Sequence, residues 1–126
     1  MIDEMLIKIA WLTLGLIHLF PAASAFSPSL LERLYGVAPS GDLAVIVAHR
    51  GVLFCAVVAS CVFGAFDPAA RRPLGIVVAI SVIGFLLLYA RAGMPAGPLR
   101  TIAIVDALGL APLAAVLWSA WRAQAA

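Results

Sequence analysis

The chain has 126 residues, of which 65% are hydrophobic and 11% charged, and its mean hydropathy of +1.15 excludes an ordinary water-soluble domain. The formal net charge of +2 sits mostly at helix ends and in short connections, and no basic tract or basic-aromatic patch marks a nucleic-acid partner. What remains is an integral membrane protein with little chain left for a separate soluble domain.

Four apolar runs, at about 5–24, 43–66, 74–90 and 98–121, each come near the ~20 residues that a helix needs to cross ~30 Å of hydrocarbon. The expected fold is therefore all-α: a single domain over residues 1–126, built as an integral membrane four-helix bundle. The first run contains Ala23-Ser24-Ala25, which mimics a signal-peptidase site. Asp3 and Glu4 are acidic where a signal peptide is basic, so the run is expected to stay as the first helix, bent near Pro21, where one backbone hydrogen bond is lost.

The connection SPSLLERLYG predicts a short helix lying in the membrane interface, between helices one and two. It begins at Ser27-Pro28 or at a capping box from Ser29 to Glu32, and Gly36 is a plausible stop. Leu30, Leu31, Leu34 and Tyr35 recur at helical spacing, with Glu32 and Arg33 on the other side, as for a float on the interface or a lid. Ser40 or Asp42 then caps the second long helix. Between helices two and three DPAARRP makes a tight reversal, with Pro73 as the expected first residue of helix three. RAGMPAGP makes the last reversal, and Pro112 falls inside helix four, where it is expected to kink it.

With both termini on one side of the membrane, that side carries Lys8, Arg71, Arg72 and Arg122, against Arg33, Arg91 and Arg100 on the other. The positive-inside rule favours cytoplasmic termini by one residue, and Trp118 and Trp121 suit the cytoplasmic interface. Cys55 and Cys61, six residues apart on one helix, are too far apart for a disulfide and read as small apolar side chains.

The costly residues share one level. His49 and Arg50 lie roughly 10–12 Å in from the loop-one end of helix two, and Asp106 is at nearly the same depth from Pro98. His18 lies within a turn or two of that end of helix one, while Tyr89 and Arg91 close helix three on the same side. An ionised side chain at such depth costs ~3 kcal/mol on insertion scales, so it faces the bundle and seeks a partner. Arg50 and Asp106 are the expected pair, in direct or single-water contact. His49 is 100° round the helix from Arg50, so only one of the two can point squarely into a pocket. The expected object is a polar chamber under residues 27–36, closed below by Val57, Val58, Ile80, Ile83 and Leu117.

Three chemical readings follow from this cluster. The first is a pocket for a small lipophilic molecule, with Asp106, His49 and Arg50 as catalytic candidates and His18, Tyr89, Arg91 and Tyr35 as ligand-binding ones. Any reaction there would be cofactor-free acid-base chemistry of an isomerase, epoxide hydrolase or cyclase type. The second is a buried Arg–Asp lock in a structural or assembly subunit of a membrane complex. The third is a metal site from His18, His49 and Asp106, opposed by the lack of H-x-x-x-H spacing and by the adjacent Arg50 cation, so neither metal nor cofactor is expected. The expected partner is a membrane lipid or lipophilic small molecule, with homo-oligomerisation left open.

The segments GLIHLFPAASAFSP, LERLYGV, HRGVLF and LRTIAIVDALGL together resemble small four-helix bacterial membrane proteins of the broad DoxX-like kind. The resemblance spans nearly the whole chain and implies a four-helix bundle in the bacterial inner membrane. In some branches it also implies a role in respiratory thiosulfate and quinone chemistry, so a quinone-associated redox subunit stands beside the other readings.

Overall fold

The computed structural model describes residues 3–122. Five α-helices follow one another: α1 (Glu4–Ala23), α2 (Pro28–Tyr35), α3 (Gly41–Phe66), α4 (Arg71–Arg91) and α5 (Pro98–Arg122), with no strand among the described residues. All but α2 are long and apolar enough to cross a membrane, the make-up of a multi-pass membrane protein. α1 and α4 each pack against both α3 and α5, so the long helices form a four-membered ring.

Local chemistry sets the helix ends. The Asp3 carboxylate accepts from the Met5 N–H at the start of α1, beside the acidic Glu4 that suits a helix N-terminus. Of the two starts open to α2, Ser27 is the one used. Its hydroxyl accepts from the Leu30 N–H at 3.3 Å and Pro28 takes the first helical position. Gly36 ends α2 at φ 68°, a left-handed conformation that glycine adopts without strain. Ser40 is the N-cap residue of α3, although its side chain makes no capping bond. Helix α4 begins two residues before the expected Pro73, after a single 3-10 turn at Pro68–Ala70 in which Asp67 accepts from the Ala69 N–H. α5 runs on as helix through Pro112.

The core is one narrow stripe per helix: Ile7, Trp11 and Leu14; Val57, Cys61 and Ala65; Val78 and Val82; Leu113 and Val116. These are three- and four-residue steps, which bring one face of a helix inward. Large apolar side chains on the other faces stay exposed, Leu108 and Val45 among them, as lipid contact requires. Hydrocarbon does not drive helices together as water does, so close packing by small residues matters more. Gly64 is the clearest case, since a Cβ there would lie 2.7 Å from the ring of the fully buried Trp11.

At the end of the bundle that carries the α3–α4 connection, Arg71 is buried and bonded on all sides. Its Nε donates to the Gly64 carbonyl at 2.9 Å, and its two terminal nitrogens donate to both carboxylate oxygens of Glu4. One guanidinium thus satisfies a carbonyl in the last turn of α3 and ties that turn to the first turn of α1.

Candidate functional site

At the other end, α2 packs against α1 and α5 and covers a cavity of about 150 Å³. Helix α1 supplies Ile17, His18, Phe20 and Pro21 to its wall, and α2 supplies Leu34 and Tyr35. Arg50 and Phe54 come from α3, Phe85 from α4, and Thr101, Ile102, Val105 and Asp106 from α5. The helical repeat explains the grouping within each element: 17, 18 and 21, 50 and 54, or 102, 105 and 106 are three- and four-residue neighbours on one face. Phe20, Thr101 and Val105 belong both to the cavity wall and to the exposed surface, so at the α1–α5 seam the wall of the cavity is also the outer face of the bundle.

Asp106 is 8% exposed, and no protein group hydrogen-bonds or pairs with it among the described residues. Arg50 lines the same cavity without reaching it. Of the expected direct or single-water contact, the direct Arg50–Asp106 bond is not formed, and the guanidinium lies over three aromatic faces. It sits 5.1 Å from the Tyr35 ring centre, 5.4 Å from Phe54 and 5.9 Å from Phe85. Positive and negative charges thus face one small space from two helices, unpaired with each other.

His18 is 2% exposed and fixed at both ring nitrogens. Nδ1 lies 2.7 Å from the Leu14 carbonyl, which can only accept, so this nitrogen carries the proton. Nε2, the acceptor in the neutral ring, lies 3.4 Å from the Ser81 hydroxyl. The ring packs at 5.7 Å from that of Phe54.

Of the residues expected to form the site, the structure gathers Asp106, Arg50, His18 and Tyr35. His49 is not among the lining residues. It is exposed on the outer part of α3, because the 100° step that turns Arg50 inward carries its neighbour away. That also removes the two-imidazole, one-carboxylate ligand set, and no cluster of metal-binding side chains occurs among the described residues. Tyr89 and Arg91 are likewise outside the cavity. The Tyr89 hydroxyl donates to the Pro95 carbonyl at 2.9 Å and so fastens the α4–α5 connection, while Arg91 is exposed at the end of α4. The expected floor is different too. Val57 is in the core, whereas Ile80, Ile83 and Leu117 line an outward-facing apolar groove with Trp121. Sequence reasoning missed most of the apolar cavity wall, Ile17, Phe20, Phe54, Phe85, Ile102 and Val105, as well as Thr101. Phe54 was within reach, being one turn from Arg50 on the same face.

No family model, curated protein or solved structure matches the chain.

Proposed function

We propose that this protein binds a small lipophilic molecule in the cavity beneath α2, taking it from the bilayer through the α1–α5 seam. The observation that carries this reading is Asp106. Asp106 is a residue more than nine-tenths buried, and its carboxylate, lining a cavity and bonded to no protein group among the described residues, is costly in an apolar bundle unless something else satisfies it. A structural lock needs a paired charge, and that description fits Arg71 and Glu4 at the opposite end. A mostly apolar pocket with a few convergent polar groups is the usual form of a small-molecule site.

If the bound molecule reacts, the groups at hand are Asp106 and His18 Nε2 for proton transfer and Arg50 for charge stabilisation. This is the equipment of cofactor-free acid-base chemistry such as isomerisation or ring opening. The setting we propose is a bacterial inner membrane, with both termini in the cytoplasm, on the strength of the excess of Lys8, Arg71, Arg72 and Arg122 over the opposite loops.

Native mass spectrometry of detergent-purified protein tests the proposal. Wild-type protein should retain a lipophilic adduct near one per chain, and Asp106→Asn should lose it while staying folded and monodisperse. Equal adduct occupancy in both proteins, or none in wild type after gentle extraction, counts against it.

A further inference from the structure

The wall charges also constrain the head group of the ligand, an inference that rests on the binding reading above. Arg50 and Asp106 contribute one positive and one negative charge to a common cavity and form neither a hydrogen bond nor an ion pair with each other. Whatever sits between them must accept from a guanidinium, which offers only N–H donors, and donate to a carboxylate, which when ionised offers only acceptors.

A hydroxyl does both with a single oxygen. An ammonium donates to Asp106 but places a second cation beside Arg50. A carboxylate accepts from Arg50 but repels Asp106. A ketone or ether accepts only, and a hydrocarbon leaves the buried Asp106 carboxylate unsatisfied, which is the costly outcome. Because the two wall charges cancel, a neutral ligand preserves the balance.

Size narrows the choice further. A cavity of about 150 Å³ matches the volume at which an apolar protein cavity takes up benzene, so it encloses one six-membered ring. The walls facing such a ring are Phe54, Phe85, Ile17 and Ile102, and any longer tail leaves past Phe20 and Val105. We infer that the ligand is an uncharged lipophilic alcohol, its enclosed part about the size of one ring, whose hydroxyl bridges Arg50 and Asp106.

Four probes of one shape separate the possibilities: cyclohexanol, methylcyclohexane, cyclohexanecarboxylate and cyclohexylammonium. Their affinities are measured on wild-type, Asp106→Leu and Arg50→Met proteins in the same detergent, and each probe is compared between proteins, which cancels its partition into micelles. The expected result is that each substitution weakens cyclohexanol about ten-fold or more and changes methylcyclohexane by less than about three-fold. After correction for each probe's own measured partition into the micelles, both charged probes should bind wild type more weakly than cyclohexanol does. Either variant carries the test if the other fails to fold. Equal weakening of the alcohol and the hydrocarbon, or tighter binding of a charged probe, overturns the hydroxyl bridge and leaves the cavity as a binding site. Failure of all four probes to bind folded wild-type protein overturns the binding reading as well.

Discussion

Arg50 and Asp106 face one cavity from α3 and α5 and do not touch, the guanidinium resting on aromatic rings and the carboxylate on no protein partner among the described residues. A buried charge held without a bond is destabilising on its own account. In protein stripped of any adduct, Asp106→Leu should therefore unfold at or above the wild-type temperature in detergent. A contacting Arg–Asp lock would instead lose about 3–5 kcal/mol when one partner is removed. Arg50→Leu should cost about 1–2 kcal/mol through its lost ring contacts. Recovery of that loss on adding Asp106→Leu, beyond any gain that Asp106→Leu makes alone, would show that the two residues do form a locking pair.

The two histidines should separate cleanly. His18 is buried, bonded to the Leu14 carbonyl and in the cavity wall, so His18→Gln should cost about 1–2 kcal/mol and weaken retention of the lipophilic adduct. His49 is exposed and outside the cavity, so His49→Gln should leave both unchanged. Thermal unfolding and native mass spectrometry on the two variants decide this, and loss of adduct from the His49 variant alone would place the site elsewhere.

What the sequence made legible follows from the kind of information each feature needs. Helix spans depend on length and hydropathy, and the short α2 on local chemistry at Ser27, Pro28 and Gly36, all contained in neighbouring residues. The depth of Arg50, Asp106 and His18 could be counted from the loops, and they do share a cavity. Rotation about each helix axis could not be counted. Arg50 and His49 differ by 100°, and only packing determines which turns inward; the same uncertainty misplaced Tyr89 and Ile83. The Arg71–Glu4 pair spans 67 residues of sequence and depends on where the start of α1 meets the end of α3. Nothing local to either residue announces it.

Trp11 and Gly64 set the closest approach of α1 to α3. The Trp11 ring is fully buried where a Cβ on residue 64 would need to be, and its indole N–H has no hydrogen-bond partner among the described residues. Gly64→Ala should then cost about 1–3 kcal/mol by overpacking, and adding Trp11→Phe should return part of the loss, because the smaller ring makes room without breaking a hydrogen bond. Denaturant unfolding in micelles measures the cycle, and strictly additive losses would mean that the two sites are not in conflict.

Arg71 should matter for folding and not for the cavity. Arg71→Leu leaves the Gly64 carbonyl and the Glu4 carboxylate without their donor, at about 1–3 kcal/mol. Arg71→Lys keeps the charge but not the two-pronged geometry, and should fall between Leu and wild type. Adduct retention should be the same in every variant that folds, since the pair and the cavity lie at opposite ends of the bundle. Selective loss of adduct from folded Arg71→Lys would show that the two ends are coupled.

The arrangement of four crossing helices makes a definite statement about sidedness. The α2–α3 connection and the α4–α5 connection must lie on one side of the membrane and the α3–α4 connection on the other, because an odd number of spans separates the third from each of the first two. Gly41 and Gly97 are poor labelling positions, since their φ values of 56° and 117° would strain any residue with a Cβ. Ser40 and Ala96 are exposed beside them, and Ala69 is exposed in the α3–α4 connection. In a background where Cys55 and Cys61 are alanine, Ser40→Cys and Ala96→Cys should react with an impermeant maleimide from the same face of sealed vesicles, and Ala69→Cys only from the opposite face. With both termini in the cytoplasm, Ala69→Cys is the variant protected in intact cells stripped of their outer barrier. Labelling of all three from one face would rule out four crossings, and the reverse pattern would keep the bundle but invert its orientation.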